Sequence, residues 1–239
     1  YTTTDSLYAN ADGTGSDIYK SIACYKAISE ALERWAYYET SASDEASKYA
    51  FNIDPSTTGM AAFPGITNSQ VINIAQNEAI ERWALFEWWN GNLAASKITH
   101  NGIDSLVITV AEYGVVCIVW FKKNERWFYG FACARNFKTA FRKAQIELFR
   151  NIHVVSSFRG KVEKLNLQSQ RVLFFSTKEG NECFLNVVEK SLLVKKNATH
   201  RLIANKEITG PWSRYCTVWR CLLETTTNTD SEELEFFLF

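Results

Sequence analysis

Four glutamates carry the first sign of chemistry. Glu30 and Glu33 stand three residues apart, as do Glu78 and Glu81, and each pair lies in one copy of a decamer: residues 30–39 read EALERWAYYE and residues 78–87 read EAIERWALFE, identical at seven of ten positions. Both copies lie in segments with helical hydrophobic periodicity, where residues i and i+3 project from one face. Each helix then offers a pair of carboxylates. Two such helices can hold a divalent cation, because hard Mg2+ takes oxygen ligands and commonly bridges carboxylates to phosphate oxygens. Glu30 with Arg34 and Glu78 with Arg82 are also ordinary i,i+4 ion pairs, each worth roughly 0.2–0.5 kcal/mol to a helix. A surface pair alone gives no reason to keep Trp35 and Trp83 in register as well. A looser third version, Ala140-Phe-Arg-Lys-Ala-Gln-Ile-Glu147, adds a fifth carboxylate, followed by Arg150.

The elements that must position these residues follow from pattern. Residues 1–16 are rich in Thr, Asp and Gly and lead into Gly13-Thr14-Gly15-Ser16-Asp17. Ser16 or Asp17 is the expected N-cap of a helix over residues 18–38. A glycine-framed turn ahead of a helix N-terminus points unpaired backbone N–H groups and the helix dipole at an anion. A polar connection with a short helix over 44–50 closes at Asp54-Pro55. The small-residue stretch 56–65 reads as a loop, and a second long helix covers 69–89. Alternating β-branched and aromatic residues over 105–133 predict two or three strands, with turns near Tyr113-Gly114 and Lys123-Asn124. A third helix is expected over 137–151. Beyond it, 171–177, 183–194 and 215–224 read as strands, with a break at Gly210-Pro211. The polar stretch 225–233 precedes an apolar end, residues 234–239, expected to form an edge strand or a contact surface. The whole reads as a single α/β domain over residues 1–239, its long acidic helices packed on a mainly β sheet. The first residue, Tyr1, leaves room for a preceding N-terminal piece.

Composition narrows the class. With 46% hydrophobic and 22% charged residues the chain is globular in type. Net charge is zero, but residues 1–120 hold 14 Asp/Glu against 6 Lys/Arg, and the remainder hold 12 against 20. An acidic half that needs a cation and a basic half suited to phosphate are compatible with a nucleotide between them. A neutral total argues against nucleic acid as a partner. The six cysteines include no CxxC and are expected to be reduced and buried; the three histidines are too scattered for a zinc site or a Ser/His/Asp triad. No apolar run approaches a membrane span and no signal-peptide pattern opens the chain, so a cytoplasmic protein with no membrane association is expected.

Taken in order, Gly13-x-Gly15, Glu-x-x-Glu-Arg, Ser56-x-x-Gly59-Met-Ala-Ala62, a second Glu-x-x-Glu-Arg, strands and Ala-x-x-x-Ala-x-x-Glu147 resemble the YcaO family over residues 13–151, and more faintly over the strand Thr217-Val-Trp-Arg220. The resemblance implies a YcaO-like domain binding ATP and Mg2+, with Glu30, Glu33, Glu78, Glu81 and Glu147 as metal ligands. It implies nucleotide contacts from Ser21, Lys20, Lys26, Arg34, Arg82 and Arg220. The implied activity is phosphorylation of a peptide backbone amide oxygen, giving azoline heterocycles in a ribosomally made peptide. Thioamidation and a non-catalytic scaffold subunit are the alternatives; the residue that does the chemistry is left open. Thr14 stands where the family commonly has Lys; either Lys20 or Lys26 supplies that charge by a longer reach, or both are solvated surface lysines, the reading slightly favoured. A Pro-rich tail is lacking, the prolines being only 55, 64 and 211, and the chain is short for the family. The implied partners are the precursor peptide and a leader-binding protein in a multi-subunit complex. Residues 234–239 with Trp83, Phe86, Trp88 and Trp89 offer a docking surface; the other reading is plain core packing, which suits Trp83 and Phe86 better than the chain end.

Overall fold

The computed structural model describes residues 13–64, 68–194, 199–225, 235 and 237. In chain order the elements are α1 (Lys20–Ser41), a 3-10 turn (Ala46–Tyr49), β1 (Met60–Phe63), α2 (Asn68–Trp89), β2 (Ser96–His100), β3 (Ile103–Val110), β4 (Gly114–Lys123), β5 (Arg126–Ala134), α3 (Phe137–Ser157), a 3-10 turn (Val162–Lys164), α4 (Leu167–Phe175), α5 (Lys178–Ser191), β6 (Leu202–Glu207), a 3-10 turn (Pro211–Arg214) and β7 (Thr217–Leu223). The protein is mixed α/β, with five α-helices and two antiparallel sheets among the described residues. It divides into two compact units: one runs through Ile80 and takes in His200–Glu224, and the other begins at Glu81 and takes in the chain end.

In the first unit the sheet order is β1-β7-β6, with Ala61 opposite Trp219 and Met60 opposite Arg220. Strand alternation sends side chains to opposite faces. Met60, Ala62 and Val218 pack with Ala36 of α1, Tyr49, Phe51 and Trp212. Ala61 and Cys221 face the other way and meet Val71, Ala75 and Ala79 of α2. Small residues at those α2 positions let the helix lie close against the strands.

In the second unit β2-β3-β4-β5 form a meander. Helix α3 buries Ala140, Phe141, Ala144, Leu148 and Val155, all on one helical face, against Cys117, Val119, Phe128, Ala132 and Ala134 of β4 and β5. A Cβ on Gly130 would come within 2.2 Å of the Ala144 carbonyl oxygen, so a glycine is what allows α3 onto β5. Trp88, Trp120, Tyr129, Phe175, Phe184 and Phe237 form an aromatic cluster, most of its pairs edge-to-face.

Several expectations are corrected. Residues 171–177 and 183–194 fall in helices α4 and α5. Their apolar runs are short, and their helical signal lies in the caps: Asn166 Oδ1 accepts from Ser169 N and Thr177 Oγ1 from Gly180 N. Asn181, Phe184, Val188 and Ser191 then line up as one buried helical face. The loop over 56–65 contains β1, and the exposed strand β2 went unread because only pairing with β3 orders it. Helix α1 starts at Lys20 with no side-chain cap; Asp17 instead accepts from Tyr19 N and pairs with Lys26. Helix α3 continues to Ser157. The polar stretch 226–233 lies outside the described residues.

Candidate functional site

Three of the five glutamates belong to the first unit. Glu33, on α1, receives no hydrogen bond from a described residue, and burial pushes its carboxyl well above the usual range. The nearby carboxylates of Glu78 and Glu30 push it further, and Arg34 and Arg220 only partly offset them. The residue as a whole is half-buried; its carboxyl end is the part shut away from water. Glu30 is differently placed. Its Oε2 accepts from Thr14 N (2.7 Å) and Thr14 Oγ1 (2.8 Å), and its Oε1 accepts from Arg34 (2.7 Å).

The glycine motif explains how Thr14 reaches Glu30. A Cβ on Gly15 would sit 1.9 Å from the Ala23 carbonyl oxygen, and one on Gly13 would sit 2.0 Å from that of Ala27. Residues 13–15 therefore lie flat along α1, running back over Ala23, Ala27 and Ala31, and do not form a turn at its N-terminus. The alanine stripe at four-residue spacing is the sequence signal for this packing, and it was missed.

The implied nucleotide contacts of this unit divide by surroundings. Lys20 and Ser21 are exposed on the first turn of α1 and make no hydrogen bond or ion pair with described residues. Lys26 is tied down by Asp17 Oδ2 at 2.7 Å and by the Ser16 carbonyl at 3.0 Å. Arg34 pairs with Glu30. Arg220 is fully buried: its guanidinium donates to the carbonyls of Asp54 (2.8 Å), Ser56 (2.8 Å) and Thr58 (2.7 Å) and lies 4.4 Å from the Phe51 ring centre. It clamps the 54–58 loop and contributes positive charge toward Glu33.

Glu81 and Glu147 belong to the second unit, where both meet the open edge of β5. Glu81 Oε2 accepts from Cys133 N at 2.6 Å and Glu147 Oε2 from Phe131 N at 3.1 Å. Asn151, one turn beyond Glu147 on α3, donates to the Tyr129 carbonyl at 2.9 Å, and the Ser176 carbonyl accepts from Trp127 N at 3.0 Å. Backbone groups of four alternate residues on the strand edge thus find partners where no further strand pairs. The two carboxyl groups bind amides two residues apart, roughly 7 Å along the strand. Burial raises Glu147 to about 7 despite the Phe131 amide and the Arg150 charge, which both lower it. Arg82 lies near Arg171, and burial followed by the Arg82 charge lowers the Arg171 pKa.

Among the described residues no group of three or more His, Cys, Asp or Glu side chains is gathered as a preformed metal cage. Trp83, Phe86 and Trp88 are almost fully buried, which corrects their reading as a docking surface. Phe237 is fully buried as well, stacked on Trp89 and packed against Phe175; the other apolar residues of 234–239 lie outside the described residues. The six cysteines form no disulfide, and burial raises Cys117, Cys133 and Cys221 to about 12, where a thiol is inert. Cys24 is exposed and Cys183 half-buried, against the expectation of burial. No helix among the described residues is long and apolar enough to cross a membrane. Compared with family models, curated proteins and solved structures, the chain matches none.

Proposed function

We propose that the chain is a YcaO-like protein that uses ATP and Mg2+ to activate peptide backbone amides, leading to azoline heterocycles. The observation that carries this reading is Glu33: a buried carboxyl with no hydrogen-bond donor among the described residues, held beside Glu78 and Glu30. Convergent carboxylates repel when no cation lies among them, and the pKa of Glu33, raised first by burial, is raised further by Glu78 and Glu30. Their oxygens are the donor type that Mg2+ takes. Glu33 and Glu78 would hold the cation, with Glu30 oriented by Thr14 and Arg34. The bound nucleotide would supply the phosphoryl group that turns an amide oxygen into a leaving group. Lys20 and Ser21 are the exposed groups on α1 available to an anion, while Arg34 and Arg220 provide positive charge beside the carboxylates. Calorimetric titration of Mg2+ and ATP tests this: wild-type protein binds both, and Glu33→Gln and Glu78→Gln each weaken binding with the fold intact. Unchanged affinity in both variants refutes the assignment.

A second reading, a scaffold subunit that keeps the architecture without the chemistry, is favoured by Thr14. Its amide and hydroxyl both occupy Glu30 Oε2, where the resemblance implies a lysine nearby. Under this reading the protein hydrolyses no ATP and modifies no precursor peptide, whether or not the titration shows nucleotide binding.

A further inference from the structure

Helix α3 turns one face to the sheet and a very different one outward. Lys138, Arg142, Lys143, Ile146, Phe149, Arg150 and His153 are all exposed, Phe149 by 62% and Ile146 by 48%. At 100° per residue they fall within one side of the helix, opposite Ala140, Ala144, Leu148 and Val155. The one acid of this helix, Glu147, is turned away to the β5 edge. Lys138, Arg142, Lys143 and Arg150 make no ion pair with any described residue. Four cations and no anion therefore flank an exposed Ile-Phe pair at i,i+3, a spacing that puts the two side chains side by side.

We propose that this face docks an acidic peptide segment bearing at least one large apolar side chain. Charge complementarity selects the acidic partner, and the Ile146–Phe149 pair supplies the apolar anchor that carboxylates alone would not need. From Lys138 to His153 the face is about 22 Å long, at 1.5 Å per residue, which suits a short helical or extended segment. A lipid surface fits poorly, because the apolar stripe that would enter it is already buried against β4 and β5. Nucleic acid fits less well than peptide, since the chain as a whole is neutral. The proposal needs neither ATP nor Mg2+ and stands apart from the carboxylate reading.

The test is fluorescence anisotropy with the full chain in EDTA and a labelled peptide whose glutamates surround a Leu-Phe core. Saturable binding is expected, weakening as added salt shortens the screening length from about 10 Å to about 3 Å. Lys138→Glu with Arg142→Glu should weaken it roughly tenfold or more, and Phe149→Ser should weaken it at unchanged salt dependence. All these residues are exposed, so circular dichroism and melting temperature should stay as in wild type. No binding, binding indifferent to the double reversal, or tighter binding of a uridine oligonucleotide or phosphatidylserine vesicles through the same residues overturns the proposal.

Discussion

Replacing Glu147 with Gln should stabilise the metal-free protein at neutral and alkaline pH, and the size of the gain can be worked out. The Glu147 carboxyl rises from an ordinary 4.5 to about 7 because burial disfavours its charged form more than the Phe131 amide and Arg150 favour it. An acid whose folded pKa lies above its unfolded value makes the folded state the better proton binder between the two values. Stability is then fully present below about pH 4.5 and is lost as pH rises toward 7. Each pH unit in that window is worth ~1.4 kcal/mol, so the total is roughly 3 kcal/mol. The amide oxygen of Gln can still accept from Phe131 N, so the strand edge keeps its partner while the charge is gone. Urea unfolding in EDTA, followed from pH 4 to 8, provides the assay. The stability difference between Glu147→Gln and wild type should grow by about 3 kcal/mol across the window at constant m. A difference that does not change with pH would refute the reasoning, because it would mean that water reaches the carboxylate. Glu147→Ala should lose stability at every pH in that range relative to Gln, by about 1–3 kcal/mol, since it strands the Phe131 amide.

Arg220→Met should destabilise the first unit by about 3–5 kcal/mol, because the carbonyls of Asp54, Ser56 and Thr58 lose their shared donor in a buried setting; chemical denaturation measures it, and a loss below 1 kcal/mol would rule out the clamp. Phe237→Ala should cost about 3–5 kcal/mol by removing a fully buried ring from the Trp89, Phe175 and Phe184 cluster. Near-UV circular dichroism should lose intensity in step, and an unchanged spectrum would exclude this packing.

Long periodic segments were legible. Helices α1 and α2 and the strands β3, β4 and β5 were read from sequence within a few residues, because each carries its full period and is bounded by turn residues. Helices α4 and α5 were not, since their apolar residues come in runs that suit a strand as well as a buried helix. Only the caps at Asn166 and Thr177 separate the two readings, and a cap is one residue against a whole run. Strand β2 had no signal of its own: every residue in it is exposed, so no alternation of apolar and polar residues could mark it. The carboxylates on the helices were legible as residues but their partners were not. Glu30 meets Thr14 sixteen positions away, and Glu81 meets Cys133 fifty-two positions away. Contacts at that range are set by how elements pack, which pattern within a segment does not encode.

The repeated decamer shows the limit most sharply. Equivalent positions in the two copies have unlike surroundings: Trp35 is 37% exposed and Trp83 2%, and Glu39 is exposed whereas Glu87 is fully buried. The alanines at 36 and 84 are both wholly buried, and Glu30 with Glu78, Glu33 with Glu81 and Arg34 with Arg82 are half-buried in both copies. The cause lies in what each helix packs on. In the first copy α1 covers one face of a three-stranded sheet and leaves its other side to water, while the C-terminal part of α2 carries the second copy into an aromatic core. Glu33 and Glu81 differ for the same reason. Glu81 meets an unpaired amide on the edge of β5 and settles there as an acceptor. Glu33 meets no donor among the described residues and keeps a pKa raised by burial and by Glu78 and Glu30, which Arg34 and Arg220 offset only in part. Duplication in sequence therefore marks two carboxylate-bearing helices but not two equal sites: Glu81 accepts from a strand-edge amide, and Glu33 is buried beside Glu78 and Glu30 with Arg34 and Arg220 offsetting them in part.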